Sequence, residues 1–435
     1  MSRSRLARHR LAFVALCAAA VLCPLAAHAA EPRIADFGQD GSLVVADAFA
    51  SGVVTIERAE APNGTWIPQE NAFSTGLEVE FTLAWAGRTG FYRALAVDLA
   101  DPQEGFWNLV ESYNLLTTVA GAGGQQDVNG WRPEFEGGPA IDAVLSSPHI
   151  AMADGAGNIY IADKDGHAVR QVRPDGTIVT AAGTSLPGNG PDGPAPATQV
   201  ALSGPNGLWV KEDGTLFILD VGNGKVRRCD PGGVMATLFT LPGGIAVGRG
   251  LWVRDDESLA YLSSGDVVKK WTPGDGVTDH ATGFRELGNL AIDPQGRLVV
   301  TDRTLHRVWR IEADGARTLL AGNGTQGGGG DGQLATDTGL DGVRAVWFLP
   351  AGGFFVGTHR GSQVWYVDTG GYIHLFLNGN RSGTHAGDGT WFYKPNQLRV
   401  SEVRAVTMDH EGNLLVTEND AGYIRRIQFL RHGSE

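Results

Sequence analysis

Six positions share one spacing. His149, Asn206, Arg249, Gly288, Arg344 and Arg404 each stand fourteen residues before the polar residue that closes a recurring apolar segment: Asp163, Asp220, Ser263, Asp302, Thr358 and Glu418. If the segments are related by symmetry, the six gather at one opening. Three arginines and a histidine there can hold a carboxylate, a phosphate, or a sulfated or uronic sugar through forked, charge-assisted hydrogen bonds. The competing role is structural: an arginine placed beside Asp163, Asp220, Asp302 or Glu418 can neutralise a neighbouring acid.

Metal chemistry has weaker support. A zinc site needs convergent histidines, and only His149 falls on the ring. His359 and His385 belong to the same side, but their loops have to fold inward to join it. A calcium-dependent hydrolase needs inward oxygens, for which Asn206, Asn289 and Glu418 qualify, yet the ring arginines repel a cation. No cofactor is expected, and calcium is the one metal the loop acids suit. Those acids occur in Asp192-Gly193, Asp331-Gly332 and Asp388-Gly389, where Asx-turns explain them more simply. The Gly327 to Gly330 run lacks the Lys-Ser/Thr end of a phosphate-binding loop, and there is no GxSxG. Trp131, Phe135, Trp391, Phe392 and Tyr393 lie in long loops, either to stack on sugar rings or peptide side chains or to anchor the loops. Trp209, Trp309 and Trp365 lie in strands and are expected in the core between sheets.

The elements that position these residues repeat. NIYIAD (158–163), TLFILD (215–220), SLAYLS (258–263), RLVVTD (297–302), GFFVGT (353–358) and NLLVTE (413–418) each follow an apolar strand and a Gly/Asp/Asn turn, and each leads into a third strand. Five copies add a fourth strand. The sixth lacks one, while LLTTVAG (115–121) at the other end matches the missing piece. A ring divides a repeat in this way and a linear solenoid does not, so the expectation is an all-β, six-bladed β-propeller closed by its N-terminal strand.

The pattern TxAGxG…GDG…PxGxAxDxxGNxYxADxxxxxVRxVxxxG resembles the NHL repeat. The first copy matches best, through Pro148, Gly157-Asn158, Ala162-Asp163, Val169-Arg170 and Gly176, and the fourth keeps Asp293, Gly296, Asp302 and Ala321-Gly322. Ser263 and Thr358 depart from it. The resemblance, to secreted bacterial-type members, implies a propeller that serves as a binding platform, a scaffold or, in some relatives, an enzyme.

Four arginines, Arg3, Arg5, Arg8 and Arg10, precede an apolar run and a small-residue Ala27-His28-Ala29 site, the pattern of a secretory leader over 1–29. Export to a periplasmic or extracellular space is expected, with no membrane span after cleavage. Without the leader, 31 basic residues face 48 acidic ones, a formal charge of −17, which argues against nucleic acid as partner. Cys229 is then the only cysteine, so no internal disulfide can form. Residues 30–100 alternate as strands and resemble a small fibronectin- or immunoglobulin-like sandwich, 101–114 read as a linker, and 115–430 hold the propeller. All the long loops fall on one rim (121–147, 183–204, 322–342 and 378–401), and tight turns occupy the other. The expected function is a binding module for a protein, peptide or glycan ligand at that rim and its axial mouth. The alternatives are a metal-dependent hydrolase or lyase with an axial site, and a structural envelope scaffold.

Overall fold

A computed structural model describes residues 10–14, 31–83, 90–124, 128–378, 385–391 and 398–432, of which 10–14 and 391 by backbone alone. Most of the leader, Phe392, Tyr393 and the Trp391 side chain lie outside the described residues. The described residues are nearly all β: eight small antiparallel sheets with one α-helix, Gly105–Glu111. No helix among the described residues is long and apolar enough to cross a membrane.

From Leu115 onward the architecture is propeller-like. Six sheets run up and down in sequence order, with inner strands Pro148–Ala153, Pro205–Val210, Leu251–Val253, Leu287–Ile292, Val343–Phe348 and Val403–Met408. Each inner strand packs on the next, and the last packs on the first. Second strands such as Leu216–Asp220 and Leu298–Asp302 are buried along their whole length. Both of their faces meet a neighbouring sheet, which is why their sequences read as continuous apolar runs instead of alternating. The sixth sheet takes its outer strand from Leu115–Ala120, which pairs antiparallel with Tyr423–Ile427, Leu116 opposite Ile427 and Ala120 opposite Ile424. The Ala-Gly pair ending several fourth strands has a local cause. Gly121, Gly183 and Gly322 adopt φ of +103°, +94° and +86°, and a Cβ there would overlap the carbonyl oxygens of Gly422, His167 and His306.

The long loops do not simply stand above their rim. Ala195–Pro196, Gln333–Leu334 and Thr390–Trp391 fold down as two-residue strands along the outer edges of the second, fifth and sixth sheets. They cover edges that would otherwise expose unpaired backbone groups.

Residues 31–100 form two sheets around a core of Leu43, Val45, Val54, Ile56, Val79, Phe81, Ala94 and Ala96. Arg10–Val14 pairs with Phe91–Asp98 in one of them. The stretch read as a linker is not a loose tether: 101–114 contains the helix, and Phe106, Leu109, Val110 and Tyr113 join one core with Val53 and Leu99 on the N-terminal side and Phe355, Phe376 and Phe429 of the propeller-like part. Tyr113 Oη donates to the Gly412 carbonyl at 3.2 Å, and Phe73 stacks on Phe429 at 4.3 Å. Apolar burial across this seam holds the two parts together.

Candidate functional site

A β-bulge builds the axial mouth. In the first sheet Pro148 faces Asp163 and Ala151 faces Ile161; in the second, Pro205 faces Asp220 and Gly207 faces Leu219. The fifth and sixth repeat this with Val343–Thr358 and Val403–Glu418. The extra residues are therefore His149, Asn206, Arg344 and Arg404, and a bulge re-aims its unpaired residue away from the sheet. Gly288 and Asn289 occupy the bulge of the fourth sheet, where Asn289 supplies the side chain. Arg249 precedes the short third inner strand, its N–H held by Ser263 Oγ at 2.9 Å. The mouth is narrow, because Asn289 of the fourth sheet reaches the Arg404 carbonyl of the sixth at 3.5 Å.

The acids at the ends of the second strands are satisfied without these residues. Asp163, Asp220 and Glu418 are fully buried and pair with Arg170 (3.1 Å), Arg227 (3.1 Å) and Arg425 (2.8 Å), each seven residues on in the same sheet. Each acid also accepts a backbone N–H from the segment entering its inner strand: Ser146, Ser203 and Ser401 respectively. Asp302, whose sheet has Trp309 in the arginine's place, accepts the amides of Arg285, Glu286 and Leu305. Neutralisation of these four acids by the ring arginines, weighed from the sequence as their competing role, is thereby excluded.

The ring arginines have fewer partners. Arg249 and Arg303 share Glu286, at 3.2 and 2.5 Å. Arg404 donates to Asn419 Oδ1 and lies 3.5 Å from Asp420. Arg344 is 6% exposed, and its Nε and Nη1 have no hydrogen-bond partner. Burial, together with the charges of Arg404, Arg249 and Arg303, disfavours its cation and pulls its pKa down to about 7. Arg404 is pulled down to about 9, by burial first and then by Arg249 and Arg303. A guanidinium gives up its proton very reluctantly, so an incoming anion relieves this stress more readily than deprotonation does. Arg344 also lines a cavity of about 110 Å³ with Arg303, Gln326, His359 and Arg360.

Both histidines at the mouth are held neutral. Burial, with Arg404 adding, lowers His149 well below the ordinary range; its Nδ1 lies 2.8 Å from the Ser147 carbonyl. His359 is lowered to about 3 by burial and by Arg344 and Arg404, against the opposing pull of Asp420. Its Nε2 lies 3.3 Å from Glu402 and 3.8 Å from Asp420. The donor atoms of His359, Glu402 and Asp420 fall within 4.8 Å of one another, close enough for one metal ion. Three donors leave calcium's shell of six to eight oxygens incomplete, and Arg404 already lies beside Asp420 as counter-charge.

The turn acids are engaged by the chain itself. Asp192 accepts from Lys225 (2.7 Å), Thr237 (2.6 Å) and Arg227 (3.3 Å); Asp331 accepts the Leu375 N–H; Asp388 accepts from Arg425 and Thr118. They pin the long loops to outer strands. Of the loop aromatics, Trp131 stacks under the Arg170 guanidinium at 3.7 Å and packs edge-on to Phe135, so it is a loop anchor. Trp365 is buried core between the fourth and fifth sheets, as expected. Trp209 is not confined to an inter-sheet core. Its ring lies 6.2 Å from Trp252 of the third sheet and 6.4 Å from Trp347 of the fifth, so indoles from three sheets meet at the tight-turn end of the axis. Trp309 is only half-buried, near Arg307 and Arg317. Sequence reasoning missed Glu286, Arg303, Glu402, Asn419 and Asp420. Each lies within two residues of a repeat landmark, and that adjacency was the available signal.

No family model matches the chain, and no curated protein sequence matches it. Solved structures do resemble it, and they are propeller-like. A protein of unknown function from Bacteroides thetaiotaomicron has a TM-score of 0.59 at 14% identity, covering 89% of this chain and 94% of its own. An auxiliary nutrient binding protein from Bacteroides ovatus has 0.54 at 11%, covering 91% and 94%. Another, from Bacteroides thetaiotaomicron, has 0.53 at 13%, covering 92% and 98%. At these identities the likeness is one of fold.

Proposed function

We propose that the chain is an exported, six-bladed NHL-type propeller, carrying a sandwich-like N-terminal module, that binds an anionic ligand at its axial mouth. The observation that carries this reading is Arg344: a guanidinium nine-tenths buried, with Nε and Nη1 unpartnered, at a small cavity that Arg303 and Arg360 also line and near enough to Arg404 and Arg249 for their charges to disfavour its own. Buried polar groups are almost always paired, and a buried cation without a partner is costly. A carboxylate, phosphate or sulfate supplies both missing hydrogen bonds and the missing charge. Uronic or sulfated glycans and acidic peptides carry such groups. The likeness to proteins named for nutrient binding accords with a binding role.

The test is calorimetric titration of the full chain with uronic oligosaccharides, sulfated oligosaccharides and acidic peptides. Saturable binding by one of these classes is expected, weakened at least about tenfold in an Arg344→Ala, Arg404→Ala double variant. Equal binding by the double variant, or no binding by any class, would sink the reading. The His359, Glu402 and Asp420 cluster favours a second reading, a divalent cation serving hydrolase or lyase chemistry at the same mouth. A rise in melting temperature with calcium or zinc, reversed by chelation and absent in His359→Ala, would support it.

A further inference from the structure

We propose that the cleft between the N-terminal sheets and the sixth sheet binds a small ligand through an ammonium or guanidinium group. The cleft lies among the tight turns, at the far end of the sheets from the axial mouth, and encloses about 680 Å³, within the range of small-molecule sites at the boundary of two units. One wall is Gln69 to Phe73 from the edge strand Ile67–Ser74; the other is the turn at His410 and Glu411 with the segment from Gln428 to Leu430.

Its polar lining is rich in acceptors. Asn71 is 7% exposed and donates its amide to the Ser112 carbonyl at 3.0 Å, while its Oδ1 has no partner. Glu70 and Glu411 face each other closely enough that the charge of Glu411 adds to burial in raising the Glu70 carboxyl. Glu411 Oε2 accepts one hydrogen bond, from Asn413 at 3.0 Å. Among the described residues no lysine or arginine lines the cleft, and the basic side chain there is the exposed His410. Met408 and the stacked pair Phe73 and Phe429 form an apolar floor. Two facing carboxylates, an orphaned amide oxygen and aromatic rings together fit a cation with several N–H donors. A neutral guest leaves the carboxylates repelling each other, and an anion worsens the repulsion.

The full chain is titrated calorimetrically with agmatine, which carries both cationic groups, and with butylurea, a neutral molecule of similar shape. One saturable agmatine site is expected, with no saturation by butylurea. Affinity should fall at least about tenfold in a Glu70→Gln, Glu411→Gln variant, by a smaller factor in Asn71→Ala, and not at all in Arg344→Ala. The glutamine variant should melt no lower than the parent, since it removes a repulsion, so that lost binding is not lost folding. The proposal is overturned if agmatine shows no saturation by about 10 mM, if butylurea binds equally, or if the glutamine variant binds agmatine like the parent. Because this site and the axial mouth share no residues, either can fail alone.

Discussion

Arg227 and Arg344 are both buried, both in inner or middle strands of the propeller-like part, and opposite in their surroundings. Arg227 meets Asp220, Asp192, Thr237 and two loop carbonyls, so its donors are used within the fold. Arg344 faces other arginines and leaves two nitrogens without partners. The first pattern recurs in Arg170 and Arg425 and belongs to the repeat; the second belongs to the bulge. Burial alone therefore does not separate a structural arginine from a functional one. The separation comes from counting acceptors and neighbouring charges.

The contrast is broken most severely at Arg227. Arg227→Met leaves Asp220 buried and without its cation, and should lower the unfolding free energy by about 3–5 kcal/mol, read by urea denaturation. A change under 1 kcal/mol would show that the paired set is not structural. Arg344→Met should act in the other direction. Removing an unpaired buried cation raises the stability of the ligand-free protein by about 1 kcal/mol, while abolishing stabilisation by added anions. A destabilised variant that keeps the anion effect would erase the distinction.

A third contrast is one of pH. The His359 pKa of about 3 lies below its ordinary value of 6.5, so as the pH falls from about 6.5 toward 3 the unfolded chain takes up the proton first. Stability contributed by neutral His359 is thus present above that window and lost within it. Burial is the main cause of the shift, the charges of Arg344 and Arg404 add to it, and Asp420 opposes it; Glu402 also faces the ring. Compared with His359→Gln, the parent should lose up to about 1.4 kcal/mol more per pH unit between pH 6 and 4. Parallel stability curves would show that His359 is protonated in the fold.

Much of this was legible from the chain because the repeat is local. Each strand, turn and acid follows from a short stretch, and the match between LLTTVAG and the other fourth strands pointed to its pairing with Tyr423–Ile427. The fourteen-residue spacing survives because a bulge sits at the same register in five of the six inner strands. What the spacing concealed was partnership. The seven-residue interval from Asp163 to Arg170, Asp220 to Arg227 and Glu418 to Arg425 was equally available, and it decides that the ring arginines are free of those acids. The indoles of Trp209, Trp252 and Trp347 come from three sheets, and no local pattern brings them together.

The sequence by itself determined the repeated strands and their order, because period, turn chemistry and chain connectivity act over a few neighbours. Only the tertiary structure decided which charges are answered, that 101–114 contains a packed helix, Gly105–Glu111, and that a cleft opens beside Asn71 and Glu70. Those outcomes depend on distances between groups far apart in the chain, and electrostatic and packing energies are functions of distance in space.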